Sequence, residues 1–125
     1  MDDYESVTQL INRYGDDLYR FAFVLTCSDS GASELLADTF AALYAEDKLT
    51  EQIKENRLLV FKALYDRAPK FAGAPDREMI KEHYGEKDAE FYGLLCLPIY
   101  EKALKHLVLY EDYTEKEAAE ILQKK

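Results

Sequence analysis

Between Val7 and Leu25 the chain sets Val7, Leu10, Ile11, Tyr14, Leu18, Phe21, Ala22 and Leu25 at steps of three and four residues. Only a helix brings such positions onto one face, because its 3.6-residue turn stacks i, i+3 and i+4. The spacing recurs in Ala32, Leu35, Leu36, Thr39, Phe40, Leu43 and Tyr44, and again in Ile99, Ala103, Leu104, Leu107 and Val108. Strand signals are missing: no stretch sustains a two-residue alternation, and no Asn-Gly or Asp-Gly pair marks a hairpin. The pattern predicts an all-α protein.

Capping residues and breakers set the expected helix limits. A first helix is predicted over about Tyr4 to Leu25, with Asp2 or Asp3 as its cap. Gly15 inside it suggests a close approach by a partner helix. A second helix is predicted over about 31–47, capped by Ser28 or Ser30, and a third from a Thr50 cap to about Arg67. The third carries Ile53, Leu58, Leu59, Val60, Phe61, Ala63, Leu64 and Tyr65, apolar nearly all round, as expected of a central bundle helix. Pro69 stops it, and "APKFAGAPD" is the strongest boundary in the chain. A short helix is predicted over 75–85 and another over 88–97. Pro98 opens the helix Ile99–Tyr110, and Thr114 with Glu117 forms a T-x-x-E capping box ahead of Ala118, Ile121 and Leu122. The expected organisation is an N-terminal helical bundle over 1–70, a linker over 71–87 and a small C-terminal helical domain over 88–125.

Charge narrows the function classes. The net charge is −9, and residues 1–50 hold ten acidic and three basic groups. A surface that grips nucleic acid through phosphates is expected to be basic. The N-terminal half is therefore a poor DNA surface and a plausible partner for a basic protein patch. Cys27 and Cys96 have no metal-ligand spacing and are expected as reduced thiols on buried helix faces. The acidic start "MDDYESV" lacks a secretory pattern, and no apolar run reaches transmembrane length, so a cytoplasmic protein without membrane contact is expected.

Catalytic patterns are absent from the sequence. His83 and His106 are isolated, and each is expected in a surface or capping role. No Glu-x-x-His pair, glycine-rich phosphate loop or nucleophile elbow occurs, so neither an enzyme nor a cofactor or metal site is expected.

Two stretches carry a family pattern when read in order: Leu18 to Tyr44 and Leu97 to Leu122. In the first, Gly31-Ala32-Ser33-Glu34-Leu35-Leu36-Ala37-Asp38-Thr39-Phe40 follows the pattern D-A-E-D-L-V-Q-E-T-F. Ala32, Leu35, Thr39 and Phe40 are identical to it, and Glu34 and Asp38 keep its negative charge. In the second, Leu97-Pro98 opens a helix that ends in an acidic connector, and Thr114, Glu117, Ala118, Ile121 and Leu122 match the shape of a cap followed by E-I-A-x-x-L. Together they resemble the bacterial RNA polymerase sigma factors of the small extracytoplasmic-function class.

The resemblance implies that 31–40 binds core RNA polymerase, with Glu34 and Asp38 as charge anchors and Leu35 and Phe40 as packing supports. It also places a promoter-opening helix on Leu59-Val60-Phe61-Lys62-Ala63-Leu64-Tyr65-Asp66, with Lys62, Arg67 and Lys70 as DNA contacts. Asp66 stands where the pattern has asparagine, and a carboxylate near a DNA strand costs affinity, which argues against strong promoter melting. Within the sequence, the twelve residues from Thr114 to Lys125 hold one helix and no second, reading helix of a helix-turn-helix. Two readings follow. One is a sigma-like transcription protein that binds core polymerase. The other is a protein-protein interaction module without promoter binding, pairing with a partner or with itself through Ala118, Ile121 and Leu122, which an incomplete helix-turn-helix would leave without a neighbour.

Overall fold

The computed structural model describes residues 3–46, 48–50, 52–75, 78, 81–82 and 88–123. Six α-helices run through them: α1 (Asp3–Thr26), α2 (Asp29–Ala45), α3 (Ile53–Arg67), α4 (Asp88–Leu95), α5 (Ile99–Tyr110) and α6 (Glu115–Leu122). A 3-10 turn, Ala68–Lys70, extends α3 through Pro69. No strand occurs among the described residues, and the fold is all-α. No described helix is long and apolar enough to cross a membrane. The expected helix over 75–85, with His83, lies largely outside the described residues.

Helix α3 is central as expected, with α1, α2 and α6 packed against it, and α1 shares that place. From Phe21 to Cys27 every residue of the chain is buried. The cause is that α2, α3 and α5 all pack against α1. The chain after the 3-10 turn then returns over its end, where Gly73 N–H donates to the Thr26 carbonyl at 3.1 Å. In α3 the apolar residues divide: Val60, Phe61, Leu64 and Tyr65 are buried, whereas Leu58 stays 40% exposed. Cys27 leaves α1 in the left-handed region (φ 65°), which frees Ser28 to cap α2 by accepting from Gly31 N–H at 2.9 Å. Cys27 is thus buried in a turn, and Cys96 is exposed, so neither thiol sits on the buried helix face expected for it. Burial pushes the Cys27 thiol upward, partly opposed by Lys102, whose Nζ donates to its sulfur at 3.5 Å.

Thr50 does not cap α3. The residue before the helix is Gln52, and it makes no side-chain cap. Asn56 on the first turns of α3 instead reaches back to Thr50, accepting from its N–H and donating to its carbonyl, both at 2.8 Å. The side chain of Asn56 fixes the entry of the chain that a Thr cap was expected to fix.

The C-terminal helices share one apolar core with the N-terminal ones. Phe21 of α1 lies 5.3 Å from the His106 ring, and Phe61 of α3 meets Tyr113 edge-on at 6.1 Å. The capping box of α6 forms as its sequence indicates, with Glu117 N–H donating to Thr114 Oγ1 at 3.1 Å and Thr114 N–H to Glu117 Oε1 at 3.0 Å. The apolar stripe it opens is not an unpartnered patch. Ala118, Ile121 and Leu122 are all buried, because α3 supplies the neighbour that an incomplete helix-turn-helix would lack.

Gly15 marks no helix crossing. A Cβ built there meets only Ile11 Cγ2 of its own helix, at 3.7 Å, which is ordinary contact. Gly15→Ala is therefore expected to stabilise the fold by about 0.5–1 kcal/mol, through the helix propensity gained and the unfolded-state entropy removed. A urea denaturation midpoint above that of the parent checks this; a lower midpoint would mean that the site is closer packed than the geometry indicates.

Candidate functional site

Helix α2 presents two faces. Ala32, Leu35, Thr39 and Leu43 point into the core, and Ser30, Ser33, Glu34, Ala37, Ala41 and Tyr44 lie outward. Of the four candidate polymerase contacts, only Glu34 is fully on the surface. Leu35 is buried, Phe40 is half-buried against the core, and Asp38 is half-exposed. Both hydrophobic members thus act as supports beneath the outer face. Asp38 is already engaged: Arg67 Nε of α3 donates to its Oδ2 at 2.5 Å. That hydrogen bond holds the Asp38 carboxyl below its usual range and raises the Arg67 guanidinium. One charge anchor is thus committed to an internal pair and the other is open.

The candidate DNA contacts are treated likewise. Lys62 donates to the Gln123 carbonyl at the end of α6 and lies 3.9 Å from Asp66 one turn along its own helix. Arg67 is held by Asp38, while Lys70 is exposed. The three cations do not converge on one free basic patch. Asp66, the departure from the family pattern, serves as the partner of Lys62.

The most constrained polar group was not anticipated. Arg57 Nη2 of α3 donates to Glu111 Oε2 at 2.7 Å across 54 residues of chain. The Glu111 side chain is 1% exposed and that of Arg57 is 18%. His106 of α5, fully buried, sets Nε2 3.2 Å from the other carboxylate oxygen. Glu111, as the carboxylate partner of Arg57, can only accept, so Nε2 carries the proton and donates. The Arg57 guanidinium is also enclosed by rings, 4.8 Å from the Tyr14 centroid, 5.2 Å from Phe61 and 5.1 Å from Tyr113. Such desolvated cation–π contacts strengthen the hold on the charge. The surface or capping role expected for His106 is thus replaced by a core role, because the connector after α5 turns inward. Asp112 adopts φ 61°, a conformation that Asp tolerates better than most residues, and Tyr113 N–H returns to the Leu107 carbonyl at 3.2 Å.

This polar group joins α1, α3 and the α5–α6 connector, so it locks the frame on which α2 and α6 are displayed. Asp17 of α1 feels it from nearby. Burial pushes the Asp17 carboxyl above its usual range, and the Glu111 carboxylate adds to the rise; Arg57, Arg20 and His106 partly oppose it. An acid raised on folding contributes stability below its ordinary pKa and loses it as pH rises through the folded value. At neutral pH the Asp17 charge therefore weakens the fold. Asp17→Asn is expected to raise the urea midpoint at pH 7 and to lose that advantage once Asp is protonated in both states. A lower midpoint at pH 7 would contradict this.

Among the described residues no cluster of three or more His, Cys, Asp and Glu is placed to hold a metal ion. No family model, curated protein or solved structure matches the chain.

Proposed function

We propose that this chain is a protein-binding helical module, similar in sequence pattern to sigma factors, which docks on core RNA polymerase through the outer face of α2 and does not grip promoter DNA. The observation that carries this reading is the internal use of its cations. Residues 54–81 form the one clearly basic stretch, with seven basic and four acidic groups. Three of those seven, Arg57, Lys62 and Arg67, are held by Glu111, Asp66 and Asp38 of the same chain. Phosphate binding draws its affinity from free Lys and Arg that displace counterions. A chain of net charge −9 with these three groups occupied has fewer free cations with which to do so. The outer face of α2 is open, with the Glu34 carboxylate exposed and Tyr44 54% exposed across the small residues Ala37 and Ala41. Small side chains let a partner approach closely, and an exposed carboxylate guides a basic surface into register.

The test is capture of core polymerase by the intact chain and by Glu34→Lys. Glu34 is the informative position, because reversing Asp38 would also break its pair with Arg67. Glu34→Lys is expected to weaken capture about fivefold, the scale of an exposed charge contact, with the fold unchanged. Failure of the parent chain to form any complex with core polymerase would overturn the proposal.

A further inference from the structure

The α3 helix carries a second open surface, away from the outer face of α2. A groove of about 400 Å³ lies between α3 and α6, floored by Leu58, Leu59, Tyr113 and Ile121. A second, of about 330 Å³, lies between α3 and α2 and includes Ala42, Leu43 and Ala63. The two meet at Leu59 and Lys62, which line both. Between Glu55 and Asp66 the surface follows α3 for about 16 Å, at 1.5 Å per residue, or three helical turns.

Its charge is one-sided. Lys48 is paired with Glu46 at 3.2 Å, Lys62 with Asp66 and the Gln123 carbonyl, and Arg67 with Asp38. The cations of the rim are thereby neutralised from within. Glu55, Glu117 and Glu120 line the α3–α6 groove, are exposed, and have no ion-pair partner among the described residues. A second copy of this chain, at net charge −9, would bring carboxylates toward carboxylates. An apolar floor under unneutralised acids selects the opposite chemistry.

We infer that the grooves along α3 form a docking site for an amphipathic, basic helix of a partner protein, with apolar anchors on Leu58 and Leu59 and Lys or Arg facing Glu55, Glu117 and Glu120. A helix laid in such a groove presents anchors at i, i+3, i+4 and i+7, which suits its length. The inference rests on the reading that the chain binds protein, and adds a second face with a stated partner chemistry.

A synthetic helical peptide of Leu and Lys, with Leu at those positions, tests it by titration into the isotopically labelled full chain. Saturable shifts centred on Leu58, Leu59 and Ile121 are expected, weakening as salt rises. A peptide with Glu in place of Lys is expected not to bind. Leu58→Asp, at a partly exposed position, is expected to weaken binding about tenfold. Glu55→Lys and Glu120→Lys, at exposed positions, are expected to weaken it as well while leaving the helical content unchanged. Shifts spread over the acidic residues of α1 and α2, or an affinity indifferent to Leu58→Asp, would overturn it. If the peptide fails while core polymerase is still captured through Glu34, this inference falls and the docking reading stands; if neither binds, both fall.

Discussion

Replacing Glu111 with alanine is expected to destabilise the protein by about 3–5 kcal/mol, the scale seen when one partner of a buried ion pair is removed. The loss does not come from an attractive pair being worth that much. Glu111→Ala leaves the Arg57 guanidinium among Tyr14, Phe61 and Tyr113 without its hydrogen-bonded carboxylate, and leaves His106 Nε2 without its acceptor. Arg57 Nε and His106 Nδ1 are already buried without a hydrogen-bond partner among the described residues, so the cluster has no spare hydrogen bond to offset the loss. Arg57 keeps some contact with water, which favours the lower end of the range. The urea midpoint is the measurement. The double variant Arg57→Leu, Glu111→Leu is expected to cost less than Glu111→Ala alone, because it removes both charges together. A change for Glu111→Ala within the range of ordinary surface substitutions, about 0.5 kcal/mol, would contradict the buried pair.

Phe61→Ala is expected to cost a comparable amount, about 3–5 kcal/mol, by opening a cavity where α1, α3 and the α5–α6 connector meet. Phe61 is fully buried, edge-on to Phe21 at 5.1 Å and to Tyr113 at 6.1 Å, with Arg57 packed over its ring. Domains of this size hold about 5–15 kcal/mol in all, so the variant is expected near the limit of folding. Unfolding curves of the variant check this. Because Phe61 and Glu111 both act through Arg57, their effects are expected to be non-additive. Simple addition would mean that the aromatic enclosure and the ion pair are independent.

These two positions show what the sequence could and could not disclose. Helix α5 has the limits its proline and apolar stripe mark, and the T-x-x-E box starts α6 at its own residues, because both signals are local. Glu111 was hidden for the opposite reason. In an acidic connector it resembles any solvated carboxylate, and its burial depends on Arg57, which the fold brings from a distant helix. The nearest sequence signal is Arg57 four residues before Phe61 on an otherwise apolar face, together with Asp112, a residue able to take the left-handed turn. The apolar composition of α3 marks a helix packed on three neighbours, α1, α2 and α6, but does not disclose that α1 shares that place. The tight run from Phe21 to Thr26 is what lets the C-terminal turns of α1 be enclosed on every side, while Ile11 nearer its start stays 52% exposed.

The candidate site divides along the same line. Spacing alone put Glu34 and Asp38 four residues apart on α2, yet Arg67 of α3 removes Asp38 from the open surface. Lys62 and Arg67 were readable as cations but not as paired cations, since Gln123 and Asp38 reach them only through the fold. Pairing holds three of the seven cations of that stretch, Arg57, Lys62 and Arg67, within the fold.

The most direct measurement is a titration of labelled double-stranded promoter DNA with the intact chain at low salt, beside core polymerase mixed with the same preparation. A complex with core polymerase and no saturable DNA binding is the expected result. DNA binding that weakens steeply with added salt and is lost in Lys62→Ala or Lys70→Ala would contradict it.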